Sequence, residues 1–287
     1  MADLVVEIVD HNQISHSVLD DWKCFYIKNY DVGGGMENIS LDGNEIEQFR
    51  LQGYLGPYSL CSVDEMSQIA EQIERLLHTD PPDHENRVHN RHLDDQLIHQ
   101  LSTDPQIVKR MTCLYGHDLL LWRTNFFVKE SGAKEIPWHQ DFNYWPLEPP
   151  IIVSAWIAID PSTVENGCLQ IIPGSHRRVI PHVESTPEVQ FNRMGDPDYL
   201  DLSEIVTLEM EPGQFILFNE RTLHQSDPNH SNTRRTGLAV RVIIPIVKVL
   251  DWDSPEHTLI TISGKDRLRI NDRSENGTMF TSRQLRP

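Results

Sequence analysis

The sequence predicts an α+β protein that is mainly β. Helical periodicity is confined to the first part of the chain, and from Asp118 onward short β-forming runs alternate with Gly, Pro and Asn turns. Because these runs follow one another without intervening helices, they predict an antiparallel sandwich or barrel. A length of 287 residues allows two domains or one large β domain, and a hydrophobic content of 38% is enough for a sizeable core.

The first predicted helix begins at a capping box formed by Ser62 and Glu65. Apolar residues then recur at helical spacing as far as Leu77, and Pro81-Pro82 ends the pattern. A second, shorter helix is predicted from about Ser102–Pro105 to Gly116. Both helices present one apolar stripe, so we expect each to pack against the β region.

Seven strands are predicted after these helices. They cover residues 118–129, 151–160, 168–172, 205–210, 214–219, 236–248 and 258–263. The acidic stretch 179–202 lies between two of them and is predicted to be a lid or an insertion. Residues 1–43 are polar and weakly patterned, which predicts a peripheral N-terminal extension.

The charge of the chain restricts its partners. With 25 Lys and Arg against 43 Asp and Glu, the formal charge is −18, which disfavours nucleic-acid binding. No apolar run is long enough for a membrane helix, and the N-terminal residues do not resemble a signal peptide. The four cysteines are widely spaced and form no C-x-x-C motif. We therefore expect a cytoplasmic protein without a disulfide framework or a thiolate zinc site.

A histidine followed two residues later by an acid can bind a metal ion when both side chains lie on the same face of a strand. Besides His139/Asp141, three such pairs occur. They are His78/Asp80, His92/Asp94 and His182/Glu184. His78 ends a helix, while the other two lie in charged segments, so we expect all three pairs to be solvated. His139-Gln140-Asp141 instead lies among aromatic residues between two predicted strands, which favours it as a ligand pair over a capped turn.

A second histidine is expected at the end of a strand that follows a tight turn. His224 follows the predicted strand 214–219, and Ser226 comes two residues later. Eleven residues after His224, Arg235 begins an apolar run, where a guanidinium could hold the far carboxylate of a metal-chelating dicarboxylate. The spacing allows equally that Arg235 is an ordinary charge at a strand end.

These residues resemble the motifs of the phytanoyl-CoA dioxygenase family of Fe(II)/2-oxoglutarate oxygenases. The resemblance also includes Trp156 and the run from Glu165 to His176, and it extends over about Ile46 to Val247. It implies a double-stranded β-helix (a cupin-like jelly roll) over 44–250, N-terminal helices on its major sheet, and a C-terminal tail, 251–287, packed on or near it.

The resemblance also implies a set of site residues and cofactors. Fe(II) would be held by His139, Asp141 and His224, and 2-oxoglutarate would contact Arg235, Ser226, Trp156 and Asn125. With O2 as the second co-substrate, the implied reaction oxidises an unactivated C–H bond and releases succinate and CO2. In related halogenases a small residue replaces the acidic ligand, so the presence of Asp141 argues against chlorination.

The substrate is expected to be a free small molecule. Candidate wall residues surround the ligand pair: Arg123, Trp138, Phe142, Tyr144 and Trp145. Aromatic residues at strand positions belong to the core more often than to a pocket, and Arg123 could instead form a salt bridge. The stretch from Leu259 to Arg269 is similar to the tails of bacterial natural-product members of the family, which favours specialised metabolism.

Two other functions stay open at this point. The first is oxidation of an acyl group carried by CoA or by a carrier protein, although carrier proteins are acidic and the charge of this chain disfavours their docking. The second is a metal-binding jelly roll that acts as a sensor without catalysis. Arg235 and Ser226 beside the triad argue against the sensor, because a metal site alone needs no anion clamp.

Overall fold

The computed structural model describes residues 39–78 and 87–272. The predicted N-terminal extension, 1–43, therefore lies almost wholly outside the described residues. The described residues form four α-helices: α1 Gly43–Gln52, α2 Val63–Leu77, α3 Gln96–Ser102 and α4 Pro105–Tyr115.

Antiparallel strands make up most of the remaining regular secondary structure of the described residues. They are β1 Tyr54–Ser59, β2 Leu119–Lys129, β3 Ile136–His139, β4 Leu147–Glu148, β5 Ile152–Ala158, β6 Leu169–Ile171, β7 His182–Glu184, β8 Arg193–Gly195, β9 Val206–Leu208, β10 Gln214–Asn219, β11 His224–Ser226, β12 Arg235–Ile243, β13 Lys248–Val249 and β14 Ile260–Ser263.

Two sheets build the double-stranded β-helix. The major sheet has the strand order β1-β10-β5-β12-β2-β14, and the minor sheet has the order β3-β11-β6-β9. A buried cluster joins them, with Trp156 and Phe218 from the major sheet and Ile171 and Leu208 from the minor sheet. The core therefore lies between the two sheets, as in other sandwich-like folds.

The helices cover the major sheet. Helix α1 contacts β1, and α4 contacts β5 and β14. Tyr115 at the end of α4 receives a hydrogen bond from Asn219 Nδ2 at 2.8 Å and makes an edge contact with Phe49 of α1. The capping box predicted for α2 is present, with the Ser62 side chain accepting from the backbone of Glu65.

The predicted strands are confirmed, with one correction of length. The run 236–248 does not form one strand: β12 ends at Ile243, and Lys248–Val249 pairs separately with β4. Pro245 lies between them, and proline cannot donate a hydrogen bond to a sheet. The second predicted helix is confirmed as α4, and a further helix, α3, precedes it.

Two peripheral segments pack against this framework. Within 179–202, β7 and β8 form a hairpin, and β8 contacts β3 of the minor sheet. Strand β14 pairs with β2 at the edge of the major sheet. The role of 179–202 as a lid and the domain boundaries at 43 and 250 stay predictions.

Candidate metal centre and co-substrate site

Two strands of the minor sheet bring the two predicted histidine ligands together. His139 ends β3 and His224 begins β11, and the two residues are direct cross-strand partners. Their ring centroids are 4.1 Å apart, and both side chains are buried. Cross-strand partners present their side chains on the same face, so the register of β3 and β11 alone places two imidazoles side by side.

Asp141 completes the cluster from the short 3-10 helix that follows β3. Its Oδ1 atom lies 3.5 Å from His139 Nε2 and 3.9 Å from His224 Nε2. One potential ligand atom from each of the three residues lies within 4.8 Å of the other two. The structure therefore assembles the predicted triad. Among the described residues, it is the one group of three such side chains that could hold a metal ion.

The hydrogen bonds of the histidines leave Nε2 of each ring free for a metal. His139 Nδ1 lies 2.8 Å from the carbonyl oxygen of Pro137, and His224 Nδ1 lies 2.9 Å from that of Thr222. A carbonyl oxygen only accepts, so each Nδ1 carries the proton and donates it. This outer hydrogen bond is typical of metal-binding histidines.

The ionisation of the site also suits a cation. Burial lowers the pKa of His224 to about 4, which keeps this imidazole neutral at neutral pH. Burial opposes the ionisation of Asp141, but the neighbouring Arg241 guanidinium holds the pKa of its carboxyl well below the usual range. Two histidines and one carboxylate form the donor set that non-haem Fe(II) takes, so these residues fit that ion.

Gln140 lies between the two ligands, and its side chain fixes the surrounding loops. It is fully buried. Its Nε2 donates to the carbonyl oxygens of Arg178 and Arg221, at 2.8 and 2.6 Å, and its Oε1 accepts from the backbone N–H of Ile180 at 2.9 Å. The residue between the ligands therefore ties the turn before His224 to the segment before β7. Sequence reasoning assigned it no role.

The residues predicted to hold the far carboxylate of 2-oxoglutarate lie together beside the triad. Arg235 begins β12 and is buried, with its guanidinium carbon 5.2 Å from the centre of the Trp156 ring. Its Nη1 donates to the Gly167 carbonyl at 2.7 Å and lies 3.5 Å from Ser226 Oγ. Its Nε has no hydrogen-bond partner among the described residues. A buried guanidinium with a free donor suits an anion.

Lys129 is a second cation at this end of the site, and sequence reasoning did not assign it a role. It is buried and is the cross-strand partner of Arg235. Its Nζ donates to the carbonyl oxygens of Ser226, at 2.9 Å, and Asp227. Burial, and then the neighbouring Arg235, lower the pKa of Lys129 to about 7. Only the pairing of β2 with β12 brings this lysine to the site.

Two connected cavities surround these side chains. The inner cavity contains the triad with Trp156, Ser226 and Arg235. The outer cavity, of about 620 Å³, shares Asp141 and Arg235 with it and continues towards solvent. Four further predicted site residues line the outer cavity: Arg123, Asn125, Tyr144 and Trp145.

Arg123 lies in the wall of the outer cavity and is held there by an ion pair and a hydrogen bond. Arg123 Nη1 forms an ion pair with Asp253 at 3.0 Å, and its Nε donates to Asn125 Oδ1 at 3.2 Å. Burial lowers the pKa of Arg123 to about 10, so the guanidinium stays charged at neutral pH. The salt bridge that the sequence allowed is thus present, and it leaves the side chain on the cavity wall.

Two predicted wall residues do not line either cavity. Trp138 packs in a hydrophobic cluster with Ile172, Ile180 and Leu223. It precedes His139 on β3, and because neighbouring side chains of a strand point to opposite faces, it points away from the metal site. Phe142 packs instead against Arg221, whose guanidinium carbon lies 5.5 Å from the centre of the Phe142 ring. The prediction of both as wall residues was wrong.

The prediction that the other three histidine–acid pairs are solvated is only partly right. His78 is exposed at the end of α2, as predicted. His92 is buried, with its Nδ1 2.9 Å from Thr124 Oγ1. His182 is half-buried and its Nε2 accepts a hydrogen bond from the Gln140 backbone at 3.1 Å. Neither His92 nor His182 is a solvated surface residue, because tertiary packing covers segments that are highly charged in sequence.

Two further residues of the site were missed. Phe191, from the segment 179–202, lies 5.0 Å from the His139 ring, measured between ring centres. Arg241, from β12, lies with its Nη2 3.4 Å from Asp141 Oδ2 and lines both cavities. Arg241 stands six residues after Arg235 on the same strand, and this even spacing on a strand was the available signal.

Comparison with known proteins gives the same family as the motifs. The family model described as phytanoyl-CoA dioxygenase (PhyH) matches residues 49–237, which is more than half of the chain. The chain belongs to the PhyH family. Among its curated relatives is the protein named ectoine dioxygenase, from Stutzerimonas stutzeri. It is 27% identical over 233 residues, which cover 71% of this chain and 77% of the relative.

Other curated relatives match over shorter stretches. The peroxisomal phytanoyl-CoA dioxygenase of Homo sapiens is 32% identical over 51% of this chain and 46% of its own length. The dioxygenase lolE1 of Epichloe uncinata is 30% identical over 44% of this chain and 46% of its own length. The chain thus spans about half the length of these two relatives.

Solved structures of similar fold include one with the cofactors implied by the motifs. The structure of CytC3 with Fe(II) and α-ketoglutarate, another name for 2-oxoglutarate, has a TM-score of 0.64 and 27% identity. The match covers 80% of this chain and 92% of that chain. The epimerase SnoN of nogalamycin biosynthesis is similar in fold, with a TM-score of 0.58 over 71% of this chain. These matches support the double-stranded β-helix.

Proposed function

We propose that this protein is an Fe(II)/2-oxoglutarate-dependent oxygenase that oxidises an unactivated C–H bond of a small-molecule metabolite. The proposal rests on the buried triad of His139, Asp141 and His224. The triad lines a cavity together with Arg235, whose Nε has no hydrogen-bond partner among the described residues. Membership of the PhyH family and the likeness to CytC3 with Fe(II) and α-ketoglutarate support it.

In this function the triad holds Fe(II), and three ligands leave coordination positions for 2-oxoglutarate and O2. Iron with this co-substrate supplies oxidising power towards C–H bonds, with release of succinate and CO2. Arg235 and Ser226 hold the far carboxylate of 2-oxoglutarate, and Trp156 forms the wall behind it. Lys129 lies beside Arg235, and with a pKa of about 7 it is partly charged at neutral pH. Asn125 stays a predicted co-substrate contact through its place on the wall of the outer cavity.

The chain also shields the reaction. The triad is buried, and Phe191 and Tyr144 pack around the His139 ring on the side of the outer cavity. These aromatic rings exclude water from the ligand histidine and leave the outer cavity for the organic substrate. We propose Tyr144 and Trp145, with Arg123, as substrate contacts, because these three of the five predicted residues line that cavity.

The substrate class follows from the family and from the charge of the chain. The relatives include enzymes named for ectoine and for hypophosphite, as well as for phytanoyl-CoA. A net charge of −18 disfavours an acidic carrier protein as partner. We therefore propose a free small molecule, in natural-product metabolism, with an acyl group on CoA or a carrier as the alternative. In the described part of the chain no helix is long and apolar enough to cross a membrane, and a cytoplasmic location stays a prediction.

Succinate formation tests the proposal directly. The full-length protein is incubated with Fe(II), ascorbate and 2-oxoglutarate, with and without a panel of metabolites, and succinate is measured. We expect slow release without organic substrate, because uncoupled turnover needs only the iron and co-substrate sites. Asp141→Ala should abolish it by removing one of three ligands, whereas His78→Ala, at an exposed histidine with the same spacing to an acid, should not.

The result also decides between an enzyme and a sensor. Failure of the wild type to release succinate under any of these conditions would favour a metal-binding jelly roll without catalysis. Release that persists in Asp141→Ala would remove Asp141 from the ligand set.

A further inference from the structure

Two arginines of the outer cavity, the half-buried Arg123 and the buried Arg241, are direct cross-strand partners. Arg241 of β12 pairs with Arg123 of β2, and both guanidinium carbons stand over the Trp145 ring, 4.7 and 4.8 Å from its centre. Like charges directly opposite each other destabilise a sheet, and burial strengthens the repulsion. The pair therefore requires negative charge close by.

Within the described part of the chain, only one of the two arginines has an acidic partner of its own. Asp253 binds Arg123 at 3.0 Å through Oδ1, while its Oδ2 accepts from Asn90 Nδ2 at 2.8 Å. Asp253 is thus occupied on both oxygens. For Arg241 the acid within reach is Asp141, at a long 3.4 Å, and Asp141 is itself a predicted metal ligand.

The remaining donors of Arg241 are unused. The side chain is 2% exposed, and neither Nε nor Nη1 has a hydrogen-bond partner among the described residues. A buried guanidinium normally satisfies most of its five N–H groups. Support of Asp141 through Nη2 alone would not explain why the other two nitrogens lie unpaired on the wall of both cavities.

We propose that Arg241, with Arg123 beside it, forms an anion site that takes a carboxylate of the organic substrate. This deepens the function proposed above and rests on it. The aromatic rings of Tyr144, Trp145 and Phe191 line the same outer cavity, so the substrate is a carboxylate with an apolar or aromatic body.

The co-substrate is the other possible source of a carboxylate, but Arg235 serves it better. Arg235 and Arg241 are six residues apart on one strand, so their Cα atoms are separated by roughly 20 Å at about 3.3 Å per residue. Arg235 has Ser226 and Trp156 around it, whereas Arg241 faces the aromatic end of the cavity. The two arginines therefore suit two different anions.

Binding of a probe tests the site without turnover. The full-length protein with Zn(II) is titrated with phenylacetate and with its neutral isostere phenylacetamide, each with and without 2-oxoglutarate, and dissociation constants are measured by ligand-observed NMR. We expect phenylacetate to bind at least about tenfold more tightly than the amide, because charge-assisted hydrogen bonds contribute at this level. 2-Oxoglutarate should not displace it.

Variants assign the preference to Arg241. Arg241→Gln should reduce the preference to below about twofold and change the 2-oxoglutarate dissociation constant by less than about threefold. Arg241→Lys keeps the charge without the planar fork and should retain a reduced preference. The matched control is Arg234→Gln, since Arg234 pairs with Asp160 and Glu74 outside the cavities and should leave binding unchanged.

The outcomes separate this inference from the proposed function. A wild type without preference for phenylacetate, or a preference that survives in both Arg241 variants, would overturn the anion site. Displacement of phenylacetate by 2-oxoglutarate, or a tenfold loss of 2-oxoglutarate affinity in Arg241→Gln, would assign Arg241 to the co-substrate instead. None of these readouts depends on succinate release, which tests the oxygenase activity separately.

Discussion

Replacement of Gln140 by leucine should lower the free energy of unfolding by about 3–5 kcal/mol. The buried side chain makes three hydrogen bonds to backbone groups, at 2.6–2.9 Å, and leucine of similar size can make none. A buried polar group left without its partner costs about 1–3 kcal/mol. The loss of one buried and two part-buried hydrogen bonds, offset in part by relaxation of the loops and by added apolar contact, gives the expected loss.

Urea unfolding followed by circular dichroism measures this effect. Gln68→Leu is the matched control, because Gln68 is exposed on α2 and its replacement should change stability by less than about 0.5 kcal/mol. A loss below about 1 kcal/mol in Gln140→Leu would instead mean that water or other groups satisfy the three backbone partners.

Three further predictions concern the surrounding structure. Gly237→Ala should destabilise the protein by about 1–3 kcal/mol and weaken 2-oxoglutarate binding, because the added Cβ would lie within 2.0 Å of the Trp156 ring. Gly43→Ala, where the added Cβ meets open space, is the control. Unchanged stability and binding in Gly237→Ala would contradict this packing. Burial raises the pKa of Glu220 to about 7 from an ordinary value of 4.5, so stability is lost as the pH rises through about 7. Glu220→Gln should therefore raise the free energy of unfolding by about 2–3 kcal/mol at pH 8.5 and much less at pH 5, and an equal gain at both pH values would exclude this cause. Arg235→Gln should raise the KM for 2-oxoglutarate at least about tenfold in the succinate assay, through loss of a bidentate ion pair, and an unchanged KM would assign the clamp elsewhere.

Local patterns in the sequence were sufficient to predict the elements whose signals lie within one segment. The capping box of α2 and the long apolar runs of β2, β5 and β12 are examples. Short strands such as β3 and β11 escaped prediction because three or four residues carry no periodicity of their own. They form because neighbouring strands pair with them, and their register brings His139 next to His224.

The residues of the candidate site also fall into those that the sequence could predict and those that it could not. Its motif residues, the triad with Arg235, Ser226 and Trp156, could be read from spacing and from resemblance to a family. Lys129, Arg241 and Gln140 could not, because their importance depends on which strand or loop lies opposite them. Trp138 and Phe142 show the reverse error: both are near the ligand pair in sequence, but strand alternation and the 3-10 turn direct them away from the cavities.

If His139, Asp141 and His224 bind one Fe(II) ion and leave room for 2-oxoglutarate, an anaerobic Fe(II) titration in the presence of 2-oxoglutarate will show it through the visible charge-transfer band of the complex. We expect a band that saturates at one Fe(II) per chain, persists in His78→Ala and disappears in Asp141→Ala. A wild-type protein that shows no band, or an Asp141→Ala variant that keeps it, would mean that these three residues do not form the iron site.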